Sequence, residues 1–68
     1  MNKKILTKRE KEVFDLLVQN FTTKDIAKKL KISEKTVRNH ISNAIQKLDV
    51  KSRSQAVIEL LKLKEIKL

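Results

Sequence analysis

Polar side chains with several hydrogen-bonding groups recur along one side of the segment ISEKTVRNHISNAIQKL, residues 32–48. They are Lys35, Arg38, Asn39, Ser42 and Gln46. At about 100° per residue, these side chains share one face of a helix. Arg suits guanine and Asn suits adenine in the DNA major groove, and Ser can donate or accept there. The chemistry that this face could perform is therefore the reading of nucleic acid.

The alternative is an ordinary solvated helix surface, which is the commonest role of a polar stripe. Such a surface usually pairs Glu with Lys at i,i+4 spacing, but here no acidic residue follows Glu34 until Asp49. The net charge is +9 for 68 residues, and residues 24–53 hold nine basic and three acidic side chains. This balance favours a polyanionic partner, nucleic acid ahead of an anionic membrane.

The composition gives little support to catalysis or metal binding. The chain has one His and no Cys, which excludes a zinc site, and no Ser–His–acid grouping follows from the spacings. We therefore expect no enzyme activity, no metal and no cofactor. His40 is interpreted as a structural residue, with a DNA phosphate contact as the alternative. No transmembrane run or signal peptide is found, so we expect a cytoplasmic, nucleoid-associated protein.

Four helices are predicted to position these side chains. Each begins after a hydroxyl residue that can cap its first turn, and Thr7-x-x-Glu10 and Ser52-x-x-Gln55 have the capping-box form. The chain has no Gly or Pro, so Asn20, Asp49 and Lys31 must end helices in their place. We predict one all-α domain over residues 1–68, without strands, whose helices span about 7–20, 23–30, 34–48 and 53–65.

The second and third helices form a helix-turn-helix pattern, because a short helix, a tight turn and a longer helix with one polar face follow each other. Helix 2 turns Ile26, Ala27 and Leu30 inward. The apolar face of helix 3 is predicted to enter the core. Its members are Val37, Ile41, Ala44, Ile45 and Leu48.

Helix 4 carries more apolar surface than one packing face requires. Its apolar residues are Ala56, Val57, Ile58, Leu60, Leu61 and Leu63. Exposed apolar area usually marks an interface, and a small chain gains stability by dimerising. We predict a two-fold contact between fourth helices, with the recognition helices one DNA turn apart, roughly 34 Å. The alternatives are a core that uses both sides of helix 4 and a membrane-surface helix. The predicted interface residues are Val57, Ile58, Leu60, Leu61 and Lys64.

Two segments, LTKREKEVFDLL and TTKDIAKKLKISEKTVRNHISNAIQKLDVKSRSQAV, together resemble the LuxR/FixJ-type helix-turn-helix DNA-binding family over residues 6–61. Within that family the chain is most similar to a stand-alone regulator of spore formation. The resemblance implies a four-helix transcription regulator, with helix 3 for recognition and helix 4 for dimerisation. It would bind double-stranded promoter DNA as a homodimer, activating or repressing sporulation genes. RNA polymerase is a candidate further partner, and no membrane partner is expected.

The resemblance also narrows the site. Bases would be read by Arg38, Asn39 and Ser42, to which the polar face adds Lys35. Lys24, Ser33 and Thr36 match positions that hold the DNA backbone. The helix starts and the edge of helix 3 supply further backbone candidates, which are Thr22, Thr23, His40, Asn43 and Lys47. Family members often have a sensing domain upstream. Only a few residues precede the domain here, so we expect no sensing of phosphorylation or small ligands.

Two other functions fit parts of the pattern. The segments LTKREKEV and DIAKKLKISEKTV also resemble the promoter-reading region 4 of a sigma factor, which would bind DNA only within RNA polymerase. A helical interaction module without DNA affinity, such as an antitoxin-like partner, is the alternative from another class. Binding of the isolated chain to a duplex at modest salt separates both from a free-standing regulator.

Overall fold

The computed structural model describes residues 5–67, which form four helices and no strand. The all-α class is therefore confirmed for this part of the chain. Residues 1–4 and 68, which the sequence assigns to the same domain, lie outside the described residues. The helices are α1 (Lys8–Leu17), α2 (Thr23–Leu30), α3 (Glu34–Leu48) and α4 (Arg53–Lys62).

The first two helices begin with reciprocal capping boxes. The Glu10 amide donates to Thr7 Oγ1 at 3.2 Å, and the Thr7 amide donates to Glu10 Oε1 at 3.0 Å. Thr22 and Asp25 make the same pair of bonds at 3.1 and 3.4 Å. The sequence predicts both hydroxyl caps, but it does not predict the part of Asp25, because the usual partner at this position is Glu or Gln.

The other two helices begin at the predicted serines, but the box predicted for α4 is incomplete. Ser33 Oγ accepts from the Thr36 amide at 3.0 Å, and Ser52 Oγ accepts from the Gln55 amide at 3.2 Å. Gln55 does not return a bond to Ser52; its Oε1 accepts from the Lys51 amide at 2.8 Å. The backbone at Ser52 is more extended than at Thr7, with φ of −147° against −67°. The Gln55 side chain therefore accepts from the amide of residue 51 and not from that of residue 52.

The predicted helix ends at Lys31 and Asp49 are confirmed, because each follows the last residue of its helix and has a left-handed backbone, with φ of 59° and 55°. Asn20 is left-handed as well, with φ of 72°, but it closes the turn after the first helix and not the helix itself. Asn and Asp tolerate this conformation better than most residues other than glycine. The predicted end of the first helix at residue 20 is three residues too late, since α1 stops at Leu17 and residues 18–20 form a turn.

The predicted end of helix 4 at residue 65 is also wrong. The helix stops at Lys62, Lys64 takes a left-handed φ of 59°, and the Glu65 amide donates to the Leu60 carbonyl at 2.9 Å. A continued helix would place Ile66 roughly 120° around the axis from Leu60. The reversal at Lys64 instead brings Ile66 into the core, where it is 2% exposed. The early end of the helix and the burial of Ile66 therefore occur together.

The core lies where α3 packs on the other three helices. The predicted inner face of α3 is confirmed, because Val37, Ile41 and Ala44 are buried and Ile45 and Leu48 pack partly buried against them. The largest fully buried side chains of the core are Phe14, Ile26, Leu60, Val13 and Val37. With its inner face held on three sides, α3 has one face left for solvent or a ligand.

Candidate nucleic-acid interface

The solvent face of α3 carries the side chains that the sequence assigns to base reading. Lys35, Arg38, Asn39 and Ser42 are all exposed. The Arg38 side chain is 56% exposed, and its Nη1 lies 3.8 Å from Oε1 of Glu34, which is 48% exposed. An exposed ion pair of this length contributes little energy. The guanidinium is therefore available to a better acceptor, such as a guanine edge.

The starts of α2 and α3 each present free amide groups and a capping hydroxyl. The predicted backbone candidates there are exposed (Thr22, Lys24, Ser33) or half-buried (Thr23, Thr36). Ser33 Oγ and Thr36 Oγ1 are hydrogen-bonded at 2.9 Å. Each hydroxyl has one donor, and the bond between Ser33 and Thr36 uses the donor of only one of the two, so the other can donate to a phosphate oxygen. Capping and backbone contact are compatible at the start of α3.

Lys47 differs from the other backbone candidates, because its side chain is bonded to a carboxylate on another helix. Its Nζ lies 2.6 Å from Oε1 of Glu10, which is 3% exposed, and the Lys47 side chain is 38% exposed. The same carboxylate oxygen accepts from the Thr7 amide. The sequence gives no signal for this pair, since its members are 37 positions apart.

The pKa of Glu10 reflects this environment. Burial raises the pKa, whereas the hydrogen bonds from Lys47 and the Thr7 amide and the charges of Lys47 and His40 lower it, and the net result lies below the ordinary 4.5.

His40 is half-buried and Asn43 is exposed on α3, which agrees with the predicted edge position of His40. Between residues 5 and 67, no group of three or more His, Cys, Asp or Glu side chains could hold a metal ion.

The predicted interface on α4 requires a correction. Leu60 is 0% exposed and belongs to the core, so it cannot contact a second chain without unfolding the first. Ile58 is 53% exposed, and Leu63, which the prediction left out, is 46% exposed. Val57 and Leu61 are half-buried, and Lys64 is exposed but lies past the end of the helix. Periodicity alone did not separate the inner from the outer apolar residues of this helix.

A shallow surface groove adjoins the exposed side of α4. It is lined by Asp49, Val50, Lys51, Gln55, Ile58, Glu59 and Lys62. This lining combines one exposed apolar side chain with both signs of charge, which is typical of a contact surface rather than an enclosed ligand site. Among the described residues, no helix is long and apolar enough to cross a membrane.

The fold and the exposed face of α3 define a class, the small all-α helix-turn-helix domains in which the second helix of the motif is free for recognition. Comparison with known proteins specifies it further. The family model described as "Bacterial regulatory proteins, luxR family" matches residues 4–60. The chain belongs to this family of DNA-binding transcription regulators, as the resemblance predicted.

Individual relatives of the chain are also transcription regulators of this kind. The chain is 70% identical over 67 residues to the spore germination protein GerE of Bacillus subtilis (strain 168), a match that covers 98% of this chain and 90% of that protein. It is 50% identical over 58 residues to the transcriptional regulatory protein DegU of Brevibacillus brevis, of which it spans 25%. The solved structure of the transcription factor GerE superimposes with a TM-score of 0.93 at 63% identity, covering 96% of this chain and 97% of that one.

Proposed function

We propose that this chain regulates transcription by binding promoter DNA sequence-specifically as a homodimer, and that its targets are sporulation genes. The observation that carries the proposal is the solvent face of α3, where Arg38 and Asn39 stand exposed in the first half of the helix. In helix-turn-helix proteins this half of the recognition helix enters the major groove. The assignment of targets is supported by the 70% identity to a spore germination protein.

We assign two kinds of contact to this surface. Arg38, Asn39, Ser42 and Lys35 read bases through the major groove. The phosphate backbone is held by residues at the helix starts and at the edge of α3, which are Thr22, Thr23, Lys24, Ser33, Thr36, His40 and Asn43. Backbone contacts fix the register of the protein on the duplex, and base contacts select the sequence. The net charge of +9 supplies the electrostatic attraction that both require.

The homodimer would form through the outer side of α4. Ile58 and Leu63 are the large apolar residues that remain most exposed, and Val57 and Leu61 flank them partly buried. A two-fold contact there would give two recognition helices for two half-sites, spaced by about one turn of DNA. RNA polymerase is the further partner that an activator would contact. The site of action would be the nucleoid in the cytoplasm.

Selection of bound duplexes from a random pool tests the DNA-binding proposal. The expected product is an enriched motif with two inverted half-sites whose centres are about 10 base pairs apart. A single half-site would contradict the dimer and leave base reading intact. No enrichment at modest salt would contradict sequence-specific binding, and enrichment only in the presence of RNA polymerase would favour the sigma-factor alternative.

Replacement of Ile58 by lysine tests the dimer surface, because it puts a charge at the most exposed apolar position of α4. Sedimentation should show dimers for the wild type and monomers for Ile58→Lys, with unchanged helical content. Gln19→Lys, which adds the same charge at an exposed position beyond α1, is the matched control and should remain dimeric. An unchanged dimer in Ile58→Lys would place the interface elsewhere.

A further inference from the structure

The ion pair between Glu10 and Lys47 connects the start of α1 to the last turn of the recognition helix. Between residues 5 and 67, the other side-chain hydrogen bonds join residues three or four positions apart, whereas this one joins residues 37 apart. Apolar packing holds the rest of the contact between α1 and α3. Apolar packing has no preferred direction, whereas a hydrogen-bonded charge pair requires a particular orientation of its two groups.

The burial of the Glu10 carboxylate means that this group needs a cationic partner. Glu10 is 3% exposed, and a buried carboxylate without a partner is strongly destabilising. One oxygen, Oε1, accepts from both the Thr7 amide at 3.0 Å and Lys47 Nζ at 2.6 Å. The capping box fixes this oxygen at the first turn of α1. The hydrogen bond to it therefore fixes the position of the Lys47 ammonium group relative to α1.

The position of Lys47 on α3 gives the pair a connection to base reading. Lys47 lies nine residues after Arg38, which is about 13.5 Å along the helix axis. A shift of the helix at Lys47 would therefore tilt the end that carries Arg38 and Asn39. A phosphate contact by Lys47 would divide its charge between the phosphate and Glu10, and would weaken the contact that the buried carboxylate requires.

We infer that Lys47 is a positioning residue, which through Glu10 sets the orientation of α3 for base reading and does not neutralise a DNA phosphate. This inference rests on the proposed function. It replaces the phosphate contact that the sequence predicts for Lys47. Its residues lie outside the base-reading and backbone contacts assigned above.

A double-mutant cycle tests the pair itself. Glu10→Gln keeps a residue that can complete the capping box and removes only the charge, and Lys47→Met removes the ammonium group and keeps the stem. The coupling in the unfolding equilibrium should be about tenfold or more. The control cycle combines Lys11→Met with Asp15→Asn, an exposed pair at 2.8 Å on α1, and should give a coupling below about fivefold. Equal couplings would overturn the inference.

DNA affinity, measured where every variant is fully folded, distinguishes positioning from phosphate contact. Each single variant should lose about fivefold in affinity for the selected duplex, and the double variant no more than either single one. Affinity for random duplex and the salt dependence should not change. A merely structural role would leave the ratio of selected to random binding as in the wild type, and would overturn the inference.

Two other outcomes would also be decisive. If Lys47→Met lowers the slope of log affinity against log salt by about 0.9 while Glu10→Gln binds normally, Lys47 contacts a phosphate and the inference is wrong, with the proposed function intact. If the wild type itself binds no duplex, the proposed function fails and the inference fails with it.

Discussion

The helices α3 and α4 meet the same structural demand and leave opposite kinds of surface exposed. Each buries one apolar face, through Val37 and Ile41 in α3 and through Ala56 and Leu60 in α4. The exposed face of α3 is polar and basic around Arg38, whereas that of α4 presents Ile58 at 53% exposure. Both inner faces are aliphatic. The outer faces differ, and the proposed division into DNA reading by α3 and dimerisation by α4 depends on this difference.

The largest expected effect compares the two sides of α4. Leu60→Ala should lower the free energy of unfolding by about 2–5 kcal/mol, because Leu60 is fully buried and its removal leaves a cavity. Ile58→Ala should change the stability of the isolated monomer by less than about 0.5 kcal/mol, as surface substitutions usually do. Urea unfolding at low protein concentration measures both. Similar losses would mean that α4 does not have distinct inner and outer faces.

The next effect concerns the outer face of α3. Arg38→Ala should weaken binding to a selected duplex by about 1–3 kcal/mol and relax the preference at one base position. Titration of labelled duplexes that vary at each position measures both changes. Arg9→Ala is the matched control, because it removes a 43%-exposed arginine from α1 and leaves α3 intact. A uniform loss across all sequences would assign Arg38 to the phosphate backbone.

A smaller effect separates backbone contacts from base reading. Lys24 is exposed at the start of α2, and Lys24→Ala should weaken selected and random duplexes about equally. The slope of log affinity against log salt should become shallower by about 0.9. Lys62→Ala removes the same charge from α4 and should change the slope less. A loss confined to the selected duplex would instead give Lys24 a role in reading sequence.

The comparison also shows which features were predictable from sequence. Helix starts and the left-handed residues Asn20 and Asp49 depend on local chemistry, and the sequence predicts them. The burial of Leu60 was not predictable, because an apolar-rich helix gives no contrast between its two sides. The reversal at Lys64 depends on the burial of Ile66, which is a tertiary effect.

The candidate site divides in the same way. Residue types and helical spacing indicate the polar face of α3, and the family resemblance narrows it to Arg38, Asn39 and Ser42. Both depend on residues close together in sequence. The Glu10–Lys47 pair joins two helices that are distant in sequence, and no local pattern marks either member. Contacts that orient one helix on another must be seen in the folded chain.

The smallest effect expected lies in the pH dependence of stability, because only the difference between two pKa values of one carboxyl group contributes. Burial raises the pKa of Glu10, but the hydrogen bonds from Lys47 and the Thr7 amide, together with the charges of Lys47 and His40, hold the folded pKa below its ordinary 4.5. The unfolded state therefore takes up a proton first as pH falls. The stabilisation from Glu10 should be complete above about pH 4.5 and lost as pH falls through the folded pKa.

Glu10→Gln carries no titrating group at this position, so its free energy of unfolding should fall less steeply below pH 4.5 than that of the wild type. Urea unfolding between pH 3 and 6, roughly the range over which carboxyl groups titrate, measures the two slopes. Glu12→Gln makes the same change at a 42%-exposed carboxylate of α1 and should follow the wild type more closely. If Glu10→Gln and the wild type fell in parallel, the carboxylate would not be bound more tightly in the folded chain. The contact between the start of α1 and the last turn of α3 would then be one of packing alone.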